Sequence, residues 1–472
     1  MRTIIIYNAL ATALIALSPL AANVAHGAAH EYLVQVDKDM RHMHVEARFG
    51  QKIDTLSARS RDAGRFLTDV RNCDDDERIR VNGRRMSLPN GGTSCIHYNV
   101  NLVEAAKAER RNATLAAANI IVSPAVWFWR PATRDDDRIT IRFELDDSVQ
   151  VSVPWQPVSG QPDTYRPKPS PESSTAPAAF GDFEYHERQI PGALLRITVL
   201  KSTSEFDTKA IVAWVVAAAG NVALAYGQFP NPSPSVIVLP VGASGWSNSP
   251  VPFGRVVRDG GESIELFINE GMPIDAYYDD WTATHEFSHL MLPYISSRHR
   301  WISEGFAQYY QNLLLARAGQ YTEQRTWQKL YEGFERGRTS SPDMTPNEAA
   351  VGDRRAATMK IYWTGAALAL FADVQLRERS DGEESLDFVL QQLQQCCLPA
   401  EDMWSGTRLF AKLDTFLDEP LFMPLYRRHA NAAGFPEVRP LLTRLGVVVE
   451  NDVIRLNQGA ELAPLRASMT GR

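Results

Sequence analysis

Hydrophobic positions in the first third of the chain recur at every second residue. Met43, Val45, Ala47 and Phe49 alternate with polar residues, as do Ile139, Ile141, Phe143 and Leu145, then Val149, Val151 and Val153. A period of two predicts strands with one buried face. Asn90-Gly91-Gly92 marks a turn, and Val103 to Arg111 reads as a short helix. Trp127, Phe128 and Trp129 form an aromatic cluster expected to pack inside. His42 and His44 fall on the polar face of their strand. Residues 28–155 are therefore expected to form a mostly-β, sandwich-like domain.

The pattern breaks at residues 156–178, where proline and serine accumulate around Pro167-Lys168-Pro169-Ser170-Pro171. Such a stretch is expected to be a linker or long surface loop. Apolar runs then return. Leu194–Leu200, Val236–Pro240 and Glu262–Asn269 read as strands, and Lys209–Tyr226 as an alanine-rich helix. From Glu304 onward the periodicity is helical, clearest over Tyr362–Leu376 and Leu386–Leu393, with a small β element at Val447–Leu456. The expected division is a catalytic domain over 179–355 and a helical C-terminal domain over 356–472, a multidomain α+β chain.

Composition changes this picture little. The 472 residues are 44% hydrophobic and 22% charged, with a formal net charge of −7, which fits a globular protein and offers no footprint for nucleic acid. The N-terminus changes it more. Arg2, the apolar stretch Ile4–Leu20 and Ala25-His26-Gly27 form the three parts of a signal peptide over residues 1–27. The expected address is periplasmic or extracellular, with no stable membrane span in the mature chain; an uncleaved anchor is the alternative. Export permits disulfides. Cys73 and Cys95 bracket a turn-rich loop and are expected to pair, whereas Cys396 and Cys397 are either one vicinal bridge or two thiols. Asn112-Ala113-Thr114 is a glycosylation acceptor if the host modifies exported proteins.

The candidate chemistry lies in His285-Glu286-Phe287-Ser288-His289. On a helix, residues four apart share a face, so both imidazoles can reach one ion. Glu286 is then placed to take a proton from water beside that ion. Phe287, Leu290 and Met291 supply an apolar face to bury the segment. A His-x-x-Gly-x-x-His continuation would need histidine at position 295, and Ile295 stands there. His299 lies in a basic Ser-Ser-Arg-His-Arg stretch that reads as exposed. Glu304 is the better third ligand: it opens a helical run, with Ser303 as an expected cap. Two histidines, one carboxylate and an open position suit one catalytic Zn2+.

These residues, with Trp301-Ile302-Ser303-Glu304-Gly305-Phe306-Ala307, resemble the gluzincin metallopeptidases, in particular the aminopeptidase-N-like and glycyl-aminopeptidase-like families. Tyr362-Trp363-Thr364-Gly365 is similar to their Tyr-x-x-Gly helix start, and Asp373-Val374-Gln375-Leu376-Arg377 and Tyr226-Gly227-Gln228-Phe229-Pro230 add to the likeness. The resemblance implies a thermolysin-like α/β catalytic domain hydrolysing a peptide or protein substrate. It implies Zn2+ held by His285, His289 and Glu304, Glu286 as general base, and Tyr362 as donor to the oxyanion. It also suggests that Glu262–Asn269 is an edge strand pairing with substrate, with an ordinary internal strand as the equal alternative. Asp275, Asp279 and Asp280 either complement the following helix N-terminus or favour a cationic substrate end. Fourteen residues separate His289 from Glu304, and no Gly-x-Met-Glu-Asn segment precedes the motif. In the relatives that segment anchors the free amino group, so exo- and endo-cleavage both stay open. A non-catalytic binding protein on this scaffold, or a zinc hydrolase of another bond, are the remaining alternatives.

Overall fold

A computed structural model describes residues 27–471 except 90, 110, 111, 117, 118, 135, 168–175, 243–247, 259, 260, 353 and 401. The expected signal segment, apart from Gly27, lies outside the described residues, as do Asn90 of the expected turn and the centre of the proline-rich stretch.

The N-terminal region is built from sheets, as the alternation implies. A seven-stranded sheet runs Gln156–Pro157, Thr164–Arg166, Arg138–Phe143, Ala29–Val36, His42–Ile53, Thr93–Asn101, Leu67–Asn72. A second sheet has four strands, Gln150–Ser152, Ala178–Gly181, Asn119–Val122 and Ala113–Ala116. Met43, Val45, Ala47 and Phe49 all point into the shared core. Trp127, Phe128, Trp129 and Trp155 are buried there, and the hydroxyls of Tyr32 and Tyr98 donate to the carbonyls of Trp129 and Trp127, each at 2.9 Å. Cys73 and Cys95 are bridged at the rim of the large sheet. The expected helix near 103–111 spans Leu102–Ala108.

The linker expected over 156–178 is corrected at both ends. Gln156–Pro157 and Thr164–Arg166 are strands of the seven-stranded sheet, and Ala178–Gly181 is a strand of the four-stranded one. Proline is tolerated there because Gln156–Pro157 lies at the sheet's edge, where one side of the backbone needs no partner.

A five-stranded sheet follows, in the order Phe183–Ile190, Ala193–Leu200, Ser235–Pro240, Ser263–Ile268, Phe253–Val257. The three middle strands are parallel and the outer two antiparallel to their neighbours. Of the two readings of Glu262–Asn269, the internal strand holds and the edge strand does not: Ser263–Ile268 is covered on its outer side by Phe253–Val257, which is the edge strand. One face of this sheet meets the N-terminal region through Ile121, Ala179, Leu200, Ile237 and Leu239. Arg196 also crosses the boundary, donating to the carbonyls of Val153, Pro154 and Trp155. The other face carries Thr208–Ala223, a helix capped by the Asp207 side chain.

Residues 356–472 are helical as expected but have no core of their own. One buried cluster runs from Ile190 to Met469 and takes in Trp301, Leu330, Trp363, Leu390 and Leu445. The longest helix, Arg354–Arg379, packs along Arg300–Arg317. Val447–Glu450 and Val453–Leu456 form the small β hairpin, and Cys396 and Cys397 form a vicinal disulfide. Among the described residues, no helix is long and apolar enough to cross a membrane.

Candidate metal centre and active site

The motif histidines lie on the helix Thr282–Ser288 and the 3-10 turn His289–Met291 that continues it. Asp280 anchors the start of this metal helix, accepting from the Thr282 N–H at 2.7 Å and from the Ser249 hydroxyl at 2.6 Å. A carboxylate there suits the positive helix end. Asp279 is turned away and paired with Arg325. Ala283 and Phe287 hold the helix against the core.

Second partners orient both imidazoles. His285, 2% exposed, has Nδ1 2.8 Å from the Gln311 Oε1. Since that oxygen only accepts, Nδ1 carries the proton and Nε2 keeps its lone pair. His289 has Nδ1 3.0 Å from the Ser303 hydroxyl. Both Nε2 atoms lie 3.4 Å from Glu304 Oε2, and the three ligand atoms fall within 4.8 Å of one another. Glu304 Oε2 is buried with no hydrogen-bond donor among the described residues. A cation held between these atoms satisfies that oxygen and both lone pairs at once, and the donor set is one that zinc favours.

Glu304 arrives on the helix Arg300–Arg317, which starts earlier than the sequence implied. Ser303 is therefore inside the helix rather than its cap, and its hydroxyl serves His289 instead. His299 is buried rather than exposed. Its Nε2 lies 2.9 Å from the Tyr426 hydroxyl and its Nδ1 3.1 Å from the Ser296 hydroxyl, so it is not a ligand.

Glu286 points into the same cleft. Burial pushes its carboxyl upward in pKa, which favours a carboxylate that takes a proton and passes it on. Tyr362, from the helix Arg354–Arg379, stacks on His285 with ring centroids 5.8 Å apart and planes 13° apart. The negative charge of Glu304, and then burial, push its hydroxyl well above the ordinary tyrosine range, so it stays a donor. The cleft, about 330 Å³, is lined by Phe253, Gly254, Arg258, Glu286, Glu304 and Tyr362 among others. Gly254 is on the edge strand, where a Cβ would come within 2.6 Å of Glu286 Cγ.

The structure thus brings His285, Glu286, His289, Glu304 and Tyr362 to one cavity. Sequence reasoning missed Gln311, Gly254 and Arg258. Gln311 was within reach: it sits seven residues after Glu304, two turns along the same helix face. Gly254 and Arg258 carried no such signal.

Residues 293–364 match the M61 glycyl aminopeptidase family, a segment that includes Glu304 and Tyr362. None of the curated proteins matches the sequence significantly. Among solved structures, an aminopeptidase N family protein from Idiomarina loihiensis is similar over 89% of this chain and 79% of its own, with TM-score 0.67 and 16% identity. An M1 zinc metallopeptidase from Deinococcus radiodurans is similar over 87% of this chain and 95% of its own, with TM-score 0.52 and 14% identity. A mutant of the Deinococcus enzyme bound to a Tyr-Ser-Ala substrate gives TM-score 0.52 at 12% identity, over 87% and 96% of the two chains. At these identities the likeness is one of fold. The fold is similar to that of these proteins, and His285, His289 and Glu304 form a ligand group of two histidines and one carboxylate.

Proposed function

We propose that this chain is an exported zinc metallopeptidase that hydrolyses peptide bonds with water. The observation that carries the reading is the convergence of three ligand atoms within 4.8 Å on the cavity that Glu286 and Tyr362 also line. Zinc in that position would supply Lewis-acid polarisation of the scissile carbonyl and acidify water. Glu286 takes the water's proton at its carboxylate and passes it to the leaving amine. Tyr362 donates its O–H to the oxygen that becomes negative in the transition state. Among the described residues no strand pairs with the outer side of Phe253–Val257, and an extended peptide would add there as a further strand. Gly254 has no side chain to hold that peptide away from Glu286.

A binding protein on the same scaffold would have no use for Glu286, a carboxylate buried at a cost that only a function repays. Export is supported by the signal pattern of residues 1–27 and by the two disulfides, which are rare in the cytosol; N-terminal sequencing that finds Met1 on the mature protein rejects cleavage of the signal. Aminopeptidase action is the finer reading, supported by the M61 match. One experiment addresses substrate class and mode: elemental analysis of the purified protein, then cleavage of free and N-acetylated peptide libraries with and without chelator. Zinc near one equivalent and chelator-sensitive cleavage are expected. A metal-free protein that still cleaves ends the proposal, and cleavage of N-acetylated peptides at internal bonds ends the aminopeptidase reading alone.

A further inference from the structure

Arg258 follows the edge strand directly, and its guanidinium reaches across to the far end of the metal helix. It donates to the backbone carbonyls of His289 and Leu292 and pairs with Glu262 at 3.4 Å. Its side chain is only 9% exposed, and it borders the cleft. The His289 carbonyl also accepts from the Leu292 N–H at 3.2 Å, and the carbonyls at a helix C-terminus carry the negative end of the helix dipole. A charged, forked donor spans the carbonyls of His289 and Leu292 together and complements that charge. The carbonyl of His289 belongs to a ligand residue, so whatever fixes it also fixes where that imidazole points. The same strand touches the metal helix a second time, where Gly254 meets Glu286. Strand and helix are therefore held together at two places that straddle the chemistry.

We propose that Arg258 is a positioning residue that clamps the ligand end of the metal helix to the edge strand, setting the metal's distance from a peptide lying on that strand. Outer partners of ligands are typically worth about 10- to 100-fold in metal affinity, and Arg258 acts through the ligand's own backbone.

The test uses full-length Arg258→Ala with its fold checked by circular dichroism and melting. Zinc affinity is read by competition with a chromophoric chelator, with and without millimolar methylguanidinium. Zinc binding about 10- to 100-fold weaker is expected, recovered by methylguanidinium and not by the same concentration of sodium chloride. Parental affinity overturns the proposal. So does a loss that methylguanidinium fails to restore, since general loosening offers it no seat. If Arg258→Ala does not fold, Arg258→Lys is read the same way; it keeps the charge but not the fork, and parental zinc affinity in it overturns the clamp. The affinity readout stands apart from the peptidase reading, and only a parallel kcat measurement at saturating zinc rests on it. A wild-type protein that cleaves no peptide, beside a methylguanidinium-rescued affinity, would end that reading and leave the clamp in place.

Discussion

Gly305 and Gly365 lie face to face where the helices Arg300–Arg317 and Arg354–Arg379 cross. A Cβ on Gly305 would fall 2.2 Å from the Gly365 Cα, and one on Gly365 would fall 2.0 Å from the Trp301 carbonyl oxygen. The contacts are with backbone, so no side chain can swing aside. Glu304 precedes Gly305 by one residue and Tyr362 precedes Gly365 by about one turn, so this approach is what puts the tyrosine beside the third ligand. Gly365→Ala should cost about 1–3 kcal/mol or more through overpacking and lower activity as Tyr362 is displaced. Thermal melting with a parallel peptidase assay checks it, and an alanine variant with parental melting and turnover refutes the crossing's role.

Glu286→Gln keeps the size of the side chain and removes the proton acceptor. Its neighbours His285, His289 and Glu304 are untouched, so zinc content should stay near the parental value. Activity should fall about 10²- to 10⁴-fold. Metal analysis beside kcat separates the roles: a fully active variant rejects the general-base assignment, and a zinc-free one moves Glu286 into the metal-binding group.

Tyr362→Phe retains the ring that stacks on His285 and deletes the one donor it offers. Loss of an oxyanion donor typically costs about 10²- to 10³-fold in kcat, with KM expected to change little because the donor matters most in the transition state. Unchanged turnover would leave Tyr362 as a packing residue.

The Cys73–Cys95 bridge spans a sequence separation of 22 residues, for which restriction of the unfolded chain gives roughly 3 kcal/mol. It ties the end of the strand Leu67–Asn72 to Thr93–Asn101, in a core separate from the one around the cleft. The double variant Cys73→Ser with Cys95→Ser should unfold at lower denaturant, followed through the buried tryptophans of that region. It should keep peptidase activity under native conditions. Equal loss of activity and stability would mean that the two regions unfold as one.

Much of this arrangement could be read before any coordinates, and the places where it could not have physical causes. Met43, Val45, Ala47 and Phe49 were legible because one buried face writes a period of two into the strand. The ligands His285, His289 and Glu304 were legible because metal chemistry fixes residue type and helical spacing together. The edge strand was not: Phe253-Gly254-Arg255-Val256-Val257 mixes a glycine and an arginine into a short run that lacks alternation, so its inner neighbour took its place. Gln156–Pro157 hid for a related reason, since edge pairing tolerates a residue that argues against strands elsewhere. His299 looked exposed in its polar setting, yet Tyr426, far along the chain, covers it. Long-range cover of that kind leaves no local mark. The shared core of residues 356–472 was missed likewise, because periodicity reports which face of a helix is buried and not against what.

Gly254 is the sharpest local test of the edge strand's part in the chemistry. A methyl group there would lie 2.6 Å from Glu286 Cγ and 3.1 Å from both its Oε1 and Thr282 Cγ2. So close a contact obliges the Glu286 side chain to shift within the cleft. Nothing in the ligand group is touched. Gly254→Ala should therefore keep zinc affinity and melt close to the parent, while kcat drops by at least about tenfold, the cost of a proton acceptor moved out of line. Peptide kinetics beside chelator competition decides the matter. If kcat holds, the strand passes the general base at a greater distance than this contact requires; if zinc affinity falls with kcat, the pressure reaches the ligands rather than Glu286 alone.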